Sequence, residues 1–161
     1  MHTHDKSRQL ALLPLNGHLC FTFSRFPTMF RVTRQIDFCY GHRLLNYDGK
    51  CKHLHGHNGR VIISLEASTL DDRGMVLDFS DIKRVVNRWI DDQLDHRMIL
   101  HRDDPYVPYF QSQNEPLYLL DMNPTAENIA KLIHDYAVAQ GFPVVETSLW
   151  ETRNCYATYR G

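Results

Sequence analysis

Three histidines, His53, His55 and His57, crowd into five positions just after Cys51, in a chain that carries ten. Side chains on a strand alternate with period 2, so His55 and His57 share one face across Gly56. His42 ends an earlier alternating run and has the parity of Phe38 and Tyr40. Where the two segments neighbour each other, three imidazoles converge from two strands. Three neutral nitrogen donors leave a tetrahedral cation one open position, the layout of catalytic zinc. Cys51 offers a second arrangement: with His55, His57 and His42 it supplies four ligands for a closed structural site. The two differ in whether sulfur or water takes the fourth position. Gly56 lacks a Cβ, which lets a substrate or supporting group approach the backbone. His53 reads as solvated or near a substrate anion.

Two further islands carry chemistry only in combination. Asp95 precedes His96 directly, and an aspartate beside an imidazole can orient it for proton transfer. The plainer reading of that pair is a surface charge. Glu151 shares the parity of Val145 and Leu149 and points into a covered space. A covered carboxylate needs a donor partner, and an amidine-like ligand edge is one. Its plainer reading is an edge-strand glutamate in water.

The elements that position these residues follow from patterning. Phe30, Val32, Ile36, Phe38 and Tyr40 alternate with Arg31, Thr33, Gln35 and Asp37, a half-buried strand. Tyr47-Asp48-Gly49 is turn chemistry, and a second strand runs from His57 to Glu66. Asp71-Asp72-Arg73-Gly74 turns into a short strand, Met75–Asp78. Asp78 or Ser80 caps a helix whose apolar stripe is Ile82, Val85, Val86, Trp89, Ile90 and Leu94. Residues 101–121 form a long connector with Pro105, Pro108 and Pro116, pairing a small strand at Leu117–Leu120. Asn123 caps a second helix with Pro124 at its first position, striped by Ile129, Leu132, Ile133 and Tyr136. Val144–Thr152 and Tyr156–Tyr159 alternate again. Hairpin-like strands followed by helices give an α+β fold with an antiparallel sheet covered on one face.

Composition narrows the function. Lys plus Arg number 18 against 19 Asp plus Glu, a net charge of −1, with no basic stripe for nucleic acid. Leu10–Leu15, broken by Pro14, is far short of the ~20 apolar residues of a membrane span. Four cysteines without a CxxC pair fit free thiols in a reducing compartment. A soluble cytoplasmic domain over residues 30–161 is expected, with 1–29 a disordered leader or an over-long start.

In sequence order, the islands are Phe38-Cys39-Tyr40-Gly41-His42, Cys51-Lys52-His53-Leu54-His55-Gly56-His57-Asn58, Leu94-Asp95-His96, Asn123-Pro124-Thr125-Ala126-Glu127-Asn128 and Glu151-Thr152. Together they resemble the 6-pyruvoyltetrahydropterin synthase / 6-carboxytetrahydropterin synthase family over about Phe30 to Arg160. The resemblance implies the tunnelling fold: a four-stranded antiparallel sheet with two helices on one face, the sheets closing a barrel on oligomerisation. It implies a homo-oligomer, trimeric or hexameric, with active sites between subunits and an inactive monomer. It assigns Zn2+ to His42, His55 and His57, proton abstraction to Cys51, and relay to Asp95 and His96. Glu151 anchors the pterin, and Thr125 adds a pterin contact.

The implied substrate is 7,8-dihydroneopterin triphosphate. Three residues separate Cys51 from His55-Gly56-His57, a spacing that looks like the carboxy branch of queuosine and deazapurine synthesis. That branch releases acetaldehyde and triphosphate. The pyruvoyl branch, which eliminates triphosphate alone, is the nearest alternative, and a zinc-stabilised binding module the non-enzymatic one. Cys39 and Tyr40 depart from the family's usual small residues, the 101–121 connector is long, and Arg153 meets the phosphates or lies on the surface.

Overall fold

Two long strands carry the architecture. β1 (Phe30–His42) and β2 (His55–Ala67) pair antiparallel along all thirteen positions, Phe30 opposite Ala67 and His42 opposite His55. The computed structural model describes residues 28–161, so the leader expected over 1–29 lies outside the described residues except for Thr28 and Met29. Ile36, Phe38 and Tyr40 of β1 and Val61, Ile63 and Leu65 of β2 are buried on one face. Arg31, Thr33, Gln35 and Asp37 are exposed on the other. The alternation therefore sets which face receives the helices.

β5 (Val144–Thr152) joins β2 antiparallel, and β6 (Cys155–Tyr159) joins β5. On the far side of β1, β3 (Arg97–His101) and then β4 (Leu117–Leu120) add in parallel. The order is β4-β3-β1-β2-β5-β6. The sheet is thus six-stranded and mixed, where four antiparallel strands were expected. β3 escapes pattern reading because Ile99 and Leu100 are both buried in succession, and a short run covered on both sides has no period of 2.

The first helical stretch is α1 (Phe79–Ile82), a π-helical segment (Lys83–Asn87) and α2 (Arg88–Gln93). Asp78 caps it, its carboxylate accepting from Ser80 N at 2.8 Å. Ile82, Val86, Ile90 and Leu94 recur every fourth residue and are buried, the spacing that the wider π turn brings onto one face. No strand forms at Met75–Asp78. Instead Met75 N donates to the Asp71 carboxylate at 2.9 Å, and Asp71 N donates to the Met75 carbonyl at 2.9 Å, so the turn closes on itself.

The connector holds a short helix, α3 (Val107–Ser112), tied to the end of β1 by buried Asp104, whose carboxylate lies 3.3 Å from Arg43 Nε. α4 (Ala126–Ala139) is capped by Thr125, which accepts from Asn128 N at 3.4 Å, and not by Asn123. The Asn123 amide is occupied elsewhere: it accepts from Leu45 N at 2.7 Å and donates to Leu45 O at 3.0 Å. Both helical stretches cover the same sheet face, where Ile129 and Ile133 meet the strand core. No helix among the described residues is long and apolar enough to cross a membrane.

His134 on α4 is buried against the sheet, Nδ1 3.4 Å from Thr147 Oγ1 and its ring edge-on to Tyr159. Burial lowers its pKa, so the fold favours the neutral ring. The unfolded protein takes up that proton at higher pH, so His134 contributes stability above about pH 6.5 that is lost as pH falls below it. Denaturant midpoints should fall between about pH 7.5 and 5.5, and His134→Gln should remove part of that slope. An unchanged slope would rule out this contribution.

Candidate metal centre

The core face of the sheet runs on without a break into the three histidines. His42 lies two residues beyond Tyr40 on the buried parity of β1, and His55 and His57 continue the parity of Val61 on β2. His42 Nε2 lies 2.9 Å from His55 Nε2 and 3.2 Å from His57 Nε2. The second nitrogen of two rings is spoken for. His42 Nδ1 donates to the Pro124 carbonyl at 2.7 Å, and His55 Nδ1 to the His53 carbonyl at 2.8 Å. A carbonyl only accepts, so each proton sits on Nδ1 and each neutral ring turns a lone pair on Nε2 toward the other. Two lone pairs at 2.9 Å repel unless a cation lies between them. Burial also pushes the His42 pKa down, favouring the neutral, ligating ring. Tetrahedral zinc with ligand nitrogens at about 2.0–2.1 Å spaces them roughly 3.3 Å apart. The two distances from His42 lie near that spacing, and all three nitrogens fall within 4.8 Å of one another.

The thiols stand apart from the centre. Cys51 lies in a 3-10 turn (Lys50–Lys52) and does not join the group of three ligating atoms within 4.8 Å of one another. Cys39, one residue off the buried parity, turns away and donates its thiol to Asn58 Oδ1 at 3.1 Å. His53 is exposed and serves the centre only through its carbonyl. Gly56 does permit a close approach, but of the protein's own backbone: a Cβ there would come 2.9 Å from the Tyr40 carbonyl.

Glu151 on β5 reaches the centre from the far strand. Its Oε1 lies 3.8 Å from His42 Nε2 and 3.9 Å from His57 Nε2, and it accepts from the Tyr40 hydroxyl at 3.1 Å. Sequence reasoning misses Tyr40 as a site residue because its parity marks it as core. Its ring is core, and only its hydroxyl reaches the site. Burial first and the carboxylate second hold its pKa far above the ordinary phenol value.

Asp95 and His96 form a second cluster, held to the backbone of β1. One Asp95 oxygen accepts from Cys39 N at 2.7 Å and the other from His96 Nδ1 at 2.8 Å, while His96 N donates to the Cys39 carbonyl at 2.7 Å. The His96 side chain is 79% exposed. It lines a cavity of about 620 Å3 together with His55, His57, Asn58, Phe110 and Glu115. With Asp95, Arg60, Trp150 and Arg153 it also lines one of about 730 Å3. The structure therefore brings His96 into one cavity with two triad histidines. It places Cys51, Glu151 and Thr125 in neither lining, and Thr125 is engaged as a helix cap. Asp95→Asn turns an N–H toward one of two donors, so we expect destabilisation of roughly 1–2 kcal/mol in denaturant titrations. A wild-type midpoint would contradict the two-donor arrangement.

A family model described as 6-pyruvoyl tetrahydropterin synthase matches residues 31–161. The chain belongs to that family. Among the family's members, the 6-carboxy-5,6,7,8-tetrahydropterin synthase of Rickettsia typhi is 40% identical over 136 residues, 80% of this chain and 98% of the relative. A protein of the same name from Haemophilus influenzae is 29% identical over 144 residues, 82% of this protein and 99% of that one. The crystal structure of an uncharacterized protein from Wolinella succinogenes superposes with a TM-score of 0.70 at 28% identity, covering 83% of this protein and 99% of that one.

Proposed function

We propose that the protein is a zinc-dependent carbon–carbon lyase. It converts 7,8-dihydroneopterin triphosphate and water to 6-carboxy-5,6,7,8-tetrahydropterin, acetaldehyde and triphosphate, in queuosine and deazapurine synthesis. The convergence of three imidazole nitrogens beside a carboxylate carries the reading. The 40% identity to a protein named for that product supports this branch, as does the Cys51-x3-His55 spacing.

His42, His55 and His57 hold the zinc. When bound, zinc lowers the cost of negative charge developing on the oxygens of the substrate's tail. Glu151 accepts from the pterin amino and ring N–H groups, orienting that tail toward the triad, and Thr125 contributes a pterin contact. Cys51, as a thiolate, takes the C–H proton of the tail. His96, its Nδ1–H held by Asp95, exposes Nε2 to pass protons near neutral pH. Arg153, in the cavity shared with His96, is the cation we assign to the triphosphate.

Cys51 and the Asp95–His96 pair do not share a cavity in one subunit, which supports a site completed between subunits. We therefore propose a cytoplasmic homo-oligomer, trimer-based or hexameric.

Products identified by mass after incubation with dihydroneopterin triphosphate test the reading. Acetaldehyde with triphosphate is expected. Triphosphate alone would move the protein to the pyruvoyl branch, and neither product to a zinc-stabilised module. Glu151→Gln faces the pterin N–H groups with a donor and should raise KM roughly 10-fold; an unchanged KM would remove the anchor role.

A further inference from the structure

Glu151 stands beside the three ligating nitrogens, and one side-chain hydrogen bond holds it there. Donor atoms on a tetrahedral zinc lie roughly 3.3 Å from one another. Glu151 Oε1 is 3.8 and 3.9 Å from two of the three imidazole nitrogens, longer than that spacing. An anionic oxygen so near a dication held by the three histidines would be drawn to it. The Tyr40 hydroxyl donates to that same Oε1 at 3.1 Å.

The tyrosine itself is fixed by its surroundings. Its ring stacks on Phe38 at 5.2 Å between centroids and meets His42 edge-on at 5.3 Å. Gly59 leaves room for it, since a Cβ there would come 2.8 Å from Tyr40 Cε1. A ring buried so well packs equally without a hydroxyl, so the hydroxyl's role here is its bond to the carboxylate.

We propose that Tyr40 is a positioning residue that restrains Glu151 from becoming the metal's fourth ligand, reserving both the carboxylate and the open position for substrate. The inference rests on the zinc-lyase reading of the same three histidines. It predicts that Tyr40→Phe, which keeps the ring and removes the donor, lets Glu151 close on the metal. Without substrate, zinc affinity measured by chelator competition should rise about 10-fold, within the range of effects of groups outside the ligand set. The visible spectrum of the Co2+-loaded variant should change with the added oxygen donor, and KM for substrate should rise more than kcat falls. Tyr40→Phe combined with Glu151→Gln should return affinity and spectrum to those of Glu151→Gln alone, because the closing ligand is gone.

Equal affinities and spectra for wild type and Tyr40→Phe would overturn the proposal while leaving the lyase reading intact. A change in Tyr40→Phe that persists with Glu151→Gln would equally overturn it, assigning the effect to altered packing. A wild-type protein that binds neither Zn2+ nor Co2+ would remove both this inference and the proposed function. Glu151→Gln against wild type supplies an independent comparison: retained affinity without a spectral change is expected, since Glu151 is already outside the sphere when Tyr40 is present.

Discussion

A His42→Ala protein is expected to lose at least about 100-fold in metal affinity, beyond the upper end for groups that merely support ligands, and its turnover should fall to the limit of detection. His42 is the hub of the triad: its Nε2 is hydrogen-bond close to both other ligand nitrogens, and its side chain is the most buried of the three. Truncation also leaves the Pro124 carbonyl without its donor, a further cost of about 1–3 kcal/mol if water does not replace it. Metal content after dialysis, chelator competition and circular dichroism together separate loss of the centre from loss of the fold. Full metal occupancy in a folded His42→Ala protein would disprove the three-imidazole centre.

Cys51→Ala should behave in the opposite way, keeping its metal while turnover drops about 10²–10⁴-fold, the usual effect of removing a proton-transferring group. The structure places this thiol outside the ligating group, so the metal has no reason to leave with it. His96→Ala should show the same pattern, since His96 touches Asp95 and the cavity but no ligand nitrogen through a hydrogen bond. If Cys51 and His96 meet only between subunits, mixing the two inactive proteins under conditions of subunit exchange should restore a measurable part of wild-type activity. Wild-type turnover by Cys51→Ala alone would take the thiol out of the reaction.

Much of the centre is legible in the sequence because strand parity is a strict rule. Once β1 and β2 are recognised, His42, His55 and His57 have nowhere to point but the core side. Glu151 follows from the same rule on β5. Where the rule gives out, other forces decide. Tyr40 reads as core from its parity, and only side-chain geometry shows its hydroxyl at the carboxylate. Asn123 has the ideal chemistry for a helix cap, yet its amide is claimed by the Leu45 backbone about eighty residues earlier, and Thr125 caps instead. β3 carries adjacent buried residues without alternation, and the π segment shifts the first helix's stripe to every fourth position. The branch of chemistry rests on a loop spacing and on likeness to relatives, because strand patterning is blind to what a bound substrate loses.

The unbroken pairing of His42 with His55 bears on where this protein tolerates a change of length. One residue inserted into or deleted from β1 ahead of His42, or from β2 beyond His57, would put that strand's imidazoles on the opposite face from its core residues and abolish the centre. The stretch 43–52 is under no such constraint on the ligands, since His42 and His55 are held opposite each other by the strands and only His53, beyond that stretch, touches a ligand through its carbonyl. Engineered insertions there should leave ion binding intact while displacing Cys51, which makes the hairpin connection a natural place to alter reactivity without rebuilding the cation's seat.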